Sequence, residues 1–264
     1  MDAFHCALGI GSGSLVGFVL GLTGGGGSIL AVPLMVYLVG VPNPHVAIGT
    51  SALAVAANAA GSLAGHARAH EVKWRCGCIW AAAGMVGALA GSTAGKMIDG
   101  DNLLFLFALV MLSVGALMLK GRGHPGTPGA ECNREKAPKV AAFGLGSGIF
   151  SGFFGVGGGF LIVPGLVAST GMPILTAVGT SLIAVCAFGL TTAANYAFSN
   201  LVDWPLALTF IIGGIAGSAA GTRLAHRLDE KAGRLNIVFA GLIFAVALYI
   251  VWKSAAAFSF GSAV

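Results

Sequence analysis

The chain has 264 residues and a formal net charge of +5, and 56% of its residues are hydrophobic against only 9% charged. Soluble domains carry roughly 25% charged residues. A soluble enzyme or binding module is therefore excluded, no nucleic-acid partner is expected, and the solvent for most of this surface is the lipid bilayer.

From the amino terminus, one acid (Asp2) and no Lys or Arg precede the first apolar run, which argues against a cleaved signal peptide and predicts that residue 1 is part of the mature protein. No charged residue then occurs until Arg68. Further charge-free stretches separate Arg75 from Lys96, Asp101 from Lys120, Lys139 from Asp203, Asp203 from Arg223 and Arg234 from Lys253. Four of these six are near the roughly 20 residues of one membrane-spanning helix. The first and fourth are about three times longer and must hold more than one crossing. Helices are predicted at 46–66, 76–95 and 102–119. The stretch 121–139, "GRGHPGTPGAECNREKAPK" with its preceding Lys120, is rich in Gly, Pro and charge and reads as an exposed loop. The cysteines (Cys6, Cys76, Cys78, Cys132, Cys186) are scattered, and their spacing predicts small apolar filler and no metal site.

The chain aligns with itself. "LTGGGGSILAVP" at 22–33 matches "FFGVGGGFLIVP" at 153–164, with Pro33 on Pro164 at an offset of 131. After one deletion the offset is 130, and it pairs "GTS" at 49–51 with "GTS" at 179–181, Trp74 with Trp204, Gly87 with Gly217, Gly91 with Gly221 and Asp99 with Asp229. Two copies of one unit in a membrane chain point to a transporter or channel.

Basic residues set the orientation, because Lys and Arg favour short cytoplasmic loops. Arg68, Lys73 and Arg75 lie at the loop near 66–75, while its counterpart at 196–204 has none. Near 96–102 Lys96 stands alone, against Arg223, Arg227, Lys231 and Arg234 in the matching segment. Opposite bias in equivalent loops requires inverted copies. With the linker inside, twelve of the fourteen Lys and Arg residues are cytoplasmic and the N-terminus is outside. Residues 8–39 must then turn back, in arms of about 12–15 residues that reach only about 20 Å at 1.5 Å per residue. The predicted fold is an all-α integral membrane protein of two inverted repeats, each a re-entrant or broken helical hairpin followed by three transmembrane helices. The first repeat covers 1–120, the cytoplasmic linker 121–139, the second repeat 140–253 and a C-terminal tail 254–264.

Glycine is about 1 kcal/mol worse than Ala inside a helix, so two aligned clusters in apolar sequence need a reason. Most of the 43 glycines fit close helix packing, as the four-residue spacings Gly61–Gly65 and Gly213–Gly217–Gly221 suggest. For Gly24, Gly25, Gly26 and Gly27, and for Gly155, Gly157, Gly158 and Gly159, a ligand site is favoured. There the chain can take positive φ, and amides without Cβ atoms can face an anion at the start of the following helix, with Ser28 as a cap. Pro33 and Pro164 either reinforce the break or mark where each second arm becomes helical. No Lys-Ser or Lys-Thr follows either cluster, which excludes a phosphate-binding P-loop.

Thr50 and Ser51, their mates Thr180 and Ser181, and mid-helix Asn58 either line that site or bond their own or a neighbouring helix. His66 reads as interfacial or as a gate, and Trp74 and Trp204 as aromatic-belt anchors. All nine acids fall at loops or ends, so no carboxylate is available at depth as a sodium ligand or proton relay, and neutral donors alone would hold an anion. No Ser/His/acid set lies at membrane depth, so an enzyme is not expected, nor is a cofactor.

The Gly-rich turns running into Pro33 and Pro164, each followed by "GTS", then "EVKW" and "NLVDW", resemble the TauE/SafE sulfite exporter family over nearly the entire chain. The resemblance implies a multi-pass carrier of the bacterial inner membrane. Its substrates would be sulfite, sulfonates or related organosulfur anions, commonly moved outward, and a homo-oligomer is compatible with it. It places the family's glycine motifs on Gly24–Gly27 and Gly155–Gly159 and its Thr-Ser pairs on Thr50, Ser51, Thr180 and Ser181. Ser28 stands where the second copy has Gly159, so the half-sites are not equivalent.

Overall fold

The computed structural model describes residues 3–120, 136–228 and 248. Among the described residues every regular element is helical: α1 (Ala3–Thr23), α2 (Gly26–Val39), α3 (Pro44–Arg68), α4 (Trp74–Gly95), α5 (Gly100–Lys120), α6 (Ala137–Phe154), α7 (Gly159–Thr170), α8 (Ile174–Ala197) and α9 (Trp204–Leu228). Helices α1, α3, α4, α8 and α9 each contain a stretch long and apolar enough to cross a membrane. Most of the linker, the helix expected after Arg234 and the tail lie outside the described residues. The last residues of the predicted linker open α6, with Pro138 in the first turn, where its missing N–H is no loss.

The hairpin arms differ from the expected short pair. Helix α1 has 21 residues and α6 has 18, about 31 and 27 Å of rise, so each first arm can traverse most or all of a hydrocarbon core. Only the second arms are short. Helix α7 has 12 residues, about 18 Å, and α2 runs through a five-residue 3-10 turn, three α-helical residues and a six-residue π turn. Helix α1 tolerates its glycines because they face a neighbour: methyl groups on Gly13, Gly17 and Gly21 would overlap the backbone of α9 at Phe210, Gly214 and Ser218. Pro164 sits inside α7, and Pro33 closes the α-helical part of α2 just before the chain widens.

The same packing recurs between α6 and α4, where Gly144, Gly148 and Gly152 abut Trp80, Gly84 and Ala88. In both pairs the helices run parallel and one residue in four is glycine, which lets backbones touch and replaces a missing hydrophobic drive with dispersion contacts. Side-chain bonds tie each pair: Ser14 Oγ donates to the Gly213 carbonyl at 3.0 Å, and Trp80 Nε1 donates to Ser147 Oγ at 2.9 Å. Since α1 belongs to the first copy and α9 to the second, with the reverse for α4 and α6, the copies exchange helices and form one interlocked bundle.

Helices α3 and α8 pack antiparallel at its centre. Gly49 near the start of α3 abuts Tyr196 and Leu201, Gly189 abuts Ala52 and Ala56, and Gly179 near the start of α8 lies against His66 and Glu71 at the far end of α3. Helices α4 and α9 turn Val86, Leu89, Leu208, Ile212 and Ile215 outward, an apolar surface suited to lipid. Trp74 and Trp204 are exposed at matched helix starts, as belt residues should be.

Candidate functional site

Each hairpin breaks where glycine leaves the right-handed region. In the first, φ turns positive at Gly24 (+74°), and Gly25 is extended. Thr23 Oγ1 closes the last turn of α1 by donating to the Val19 carbonyl at 2.7 Å while accepting from the Gly26 amide at 3.1 Å, and Ser28 Oγ donates to the Gly25 carbonyl at 2.6 Å. In the second, Gly155, Gly157 and Gly158 have φ of +67°, +67° and +63°, a conformation that glycine adopts without the Cβ clash. The expected positive φ is thus limited to four of the eight glycines, since Gly26 and Gly27 are in the 3-10 turn and Gly159 starts α7.

The two breaks are in contact. A methyl group on Gly25 would overlap the backbone of Gly159, and one on Gly159 the backbone of Gly25. One on Gly157 would lie 3.1 Å from Val55 Cγ1, 3.3 Å from Val185 Cγ1 and 3.7 Å from Ser28 Cβ. Val55 and Val185 are repeat mates halfway along α3 and α8, so the breaks meet at the middle of the bundle. The amides of Gly25, Gly27, Gly157, Gly158 and Gly159 donate no hydrogen bond among the described residues, although all five residues are buried. A buried amide without an acceptor costs about 1–3 kcal/mol, so this cluster of donors is chemically suited to an anionic oxygen.

The threonines lie elsewhere. Thr50 Oγ1 accepts from the Asp203 amide and Thr180 Oγ1 from the Lys73 amide, both at 2.9 Å. These repeat-mated bonds hold the entrances to α9 and α4, and they place the Thr hydroxyls at helix starts and not at the glycine turns. The serines divide. Ser181 Oγ lies 2.7 Å from both the Gly24 and Val178 carbonyls and reaches the first turn, whereas Ser51 Oγ donates only to the Ile48 carbonyl at 3.0 Å. Asn58 is fully buried one turn beyond Val55, and neither end of its amide has a partner among the described residues. It fits only because Gly214 on α9 lacks a side chain.

Two polar clusters stand at opposite ends of the bundle; the sequence reads His66 as interfacial or as a gate, but reveals neither its pairing with Glu71 nor the cluster around Lys96. At the end of α3, His66 Nδ1 is 2.6 Å from Glu71 Oε2, and Nε2 is 3.4 Å from the Gly21 carbonyl. At the end of α8, Lys96 Nζ donates to the Asn195 carbonyl, Asn195 Oδ1 and Ser199 Oγ at 3.1, 2.9 and 3.0 Å. Extending the 130-residue offset would have paired Asn58 with Phe188, Ser62 with Thr192 and His66 with Tyr196, which marks the stripes that lead to these ends. Among the described residues no group of three or more His, Cys, Asp or Glu side chains could hold a metal.

Comparison with known proteins adds ancestry to this geometry. The family model described as "Sulfite exporter TauE/SafE" matches residues 9–250. A probable membrane transporter protein of Xylella fastidiosa (strain 9a5c) is 53% identical over 93% of this chain and 94% of its own length. Two more distant relatives are named in the same way. YunE of Bacillus subtilis is 26% identical over 83% of this chain and 88% of its own, and MJ0441 of Methanocaldococcus jannaschii is 24% identical over 90% and 93%. No solved structure matches the chain significantly.

Proposed function

We propose, on the premise that this chain belongs to the sulfite exporter TauE/SafE family of multi-pass membrane transporters, that it carries sulfite, a sulfonate or a related organosulfur anion through a site made by its two glycine breaks. The observation that carries this reading is the backbone contact of Gly25 with Gly159, which joins two turns that hold five buried amides without an acceptor among the described residues. Gly25, Gly27, Gly157, Gly158 and Gly159 would donate to the anion's oxygens, with Ser28 at the rim and Ser181 holding the first turn in place. No Lys or Arg lies in either turn. Binding then rests on neutral dipoles, each helix-end interaction contributing up to about 2 kcal/mol, and such affinity permits release.

The antiparallel pairing of α3 with α8 and the basic-residue bias both support two inverted repeats in the plane of the bacterial inner membrane, with the N-terminus outside and the linker cytoplasmic. Each negative charge exported across a membrane that is negative inside gains about 2.3 kcal/mol per 100 mV. Outward movement of a mono- or dianion is therefore favoured by the membrane potential and needs no coupling ion unless the outside concentration is high enough to offset that gain. The carrier works by alternating access, exposing the central site to one side and then the other.

The test is flux of labelled sulfite, and of a labelled sulfonate, into liposomes that contain the purified protein. Saturable uptake accelerated by unlabelled anion on the opposite side is expected. Ion currents far faster than a conformational cycle would instead make the protein an anion channel that uses the same donors. Absence of flux with every sulfur anion would end the substrate assignment.

A further inference from the structure

Two seams run from the glycine breaks to opposite ends of the bundle, and both contain buried polar groups that have no partner among the described residues. The first lies between α3 and α9. Asn58 meets Gly214, Gly61 faces Ser218, and Gly65 meets Thr222, so the helices run side by side toward the His66 end. Along this seam both ends of the Asn58 amide, Ser62 Oγ and Thr222 Oγ1 have no partner, with residue exposures of 0%, 2% and 6%. The second lies between α8 and α4, at the repeat-mated positions. Phe188 meets Gly84, Asn195 Nδ2 donates to Ser92 Oγ at 2.6 Å, and Thr192 Oγ1 and the Tyr196 hydroxyl are buried without partners. It ends at Lys96, whose ammonium lies 5.7 Å from the centre of the Tyr196 ring.

An unpartnered hydroxyl or amide in a dry interior is costly, and here Ser62 and Thr192 are unpartnered at positions related by the repeat, with the other three residues along the same two seams. In the equally tight α1–α9 glycine contact Ser14 is satisfied, and Thr222, which also borders Gly21 there, is shared with the first seam; Ser12 Oγ on α1 and Ser151 Oγ on α6 are further groups without partners among the described residues. A group that is unsatisfied in a closed interface is satisfied by water when that interface opens. We infer that the α3–α9 and α8–α4 seams are the two access routes of the carrier, which open one at a time to admit water and the anion from opposite faces of the membrane. The structure holds both closed. The seams differ in chemistry. In the first, Asn58 offers an amide at the central end where the second has Phe188, while in the second Lys96 closes the outer end with three hydrogen bonds to neutral acceptors. The inference rests on the carrier reading for what crosses, though not for which helices part.

Cysteine reactivity tests it without a substrate. In protein whose five native cysteines have been replaced, Ser62→Cys reports the first seam and Thr192→Cys the second, each probed with a membrane-impermeant maleimide. Each reporter is combined with a lock on the other seam. The first lock is Gly65→Cys with Thr222→Cys, where a Cβ on Gly65 would lie 3.8 Å from Thr222 Cβ, inside the 3.5–4.5 Å range of disulfides. The second is Ser92→Cys with Asn195→Cys, the repeat mate. Open states populated at 0.1–10% become the only alternative once the other route is closed. Oxidising the second lock should therefore raise Ser62→Cys labelling at least about tenfold, and the first lock should do the same for Thr192→Cys. Reduction should reverse both effects and shows that the protein stayed folded. As a variant without a disulfide, Lys96→Met should raise labelling of Thr192→Cys and lower that of Ser62→Cys.

Labelling that ignores the locks, or reporters that never react in folded protein, would overturn the inference. Lock-dependent labelling without any sulfite flux would keep the seams and remove the substrate reading. Saturable flux with lock-independent labelling would do the reverse.

Discussion

Gly25 and Gly159 stand backbone against backbone, each occupying the space that a side chain on the other would need. One residue comes from each half of the chain, and the contact brings the two interrupted helices to a common point. Neither residue is there for its φ: Gly25 is extended and Gly159 is helical. Their requirement is proximity, whereas that of Gly155, Gly157 and Gly158 is conformation.

Gly158→Val should abolish transport while leaving the protein in the membrane. A side chain at Gly158 would meet Ser151 Cβ at 2.6 Å and sit at a φ of +63°, which costs a β-branched residue about 1–3 kcal/mol before any overlap. Sulfite counterflow, corrected for the amount of inserted protein, measures it. Wild-type flux from this variant would make the glycines packing residues. Gly26→Val should behave similarly, since it would place a branched chain in the 3-10 turn between two unsatisfied amides.

Ser181→Ala and Ser51→Ala should differ although the residues are repeat mates. Ser181 reaches across to the Gly24 carbonyl, while Ser51 bonds only its own helix. Loss of the cross-link should lower stability by about 1 kcal/mol and raise KM for the anion. Ser51→Ala should have a smaller effect on both. Thermal unfolding in detergent and concentration-dependent flux read the two effects separately.

Thr50→Val and Thr180→Val should each lower stability by about 1–3 kcal/mol, because each leaves a backbone amide, of Asp203 or of Lys73, without its acceptor. KM should be unchanged if the hydroxyls only anchor α9 and α4. A selective rise in KM with normal thermal stability would return these threonines to the binding site.

Gly214→Ala should be destabilising by about 1–3 kcal/mol, because the added methyl would overlap the Asn58 amide. Asn58→Ala in the same protein should recover most of that loss. A double-mutant cycle on thermal stability should give a coupling of about 0.5–3 kcal/mol, and additivity would mean that the two residues do not touch. Asn58→Ala by itself should change KM if the amide meets the anion.

Much of this was legible in the chain. Composition and charge-free runs gave the solvent, and the 130-residue offset paired helices later found packed in mated arrangements. The glycine clusters were correctly picked as breaks, because a gap in helix-forming residues is a local signal. Arm lengths were misjudged because the hairpin was counted from residue 8, whereas α1 starts at Ala3 and stays helical through Gly13, Gly17 and Gly21, where the backbone of α9 fills the space beside them. The threonines of the "GTS" motifs were placed at the site by the family resemblance, with a bond to a neighbouring helix as the alternative, and their hydroxyls accept from amides that lie 107 and 153 residues away.

The sequence by itself determined that this chain lives in lipid, that it is built twice and where its helices are interrupted, since these follow from side-chain transfer energies and backbone propensities that act within a few residues. Only the tertiary structure decided that Gly25 meets Gly159, that the halves exchange α4 and α9, and which hydroxyls are left without partners. Those facts are set by contacts between residues more than a hundred positions apart, and whether a polar atom is satisfied depends on what the neighbouring helix brings to it.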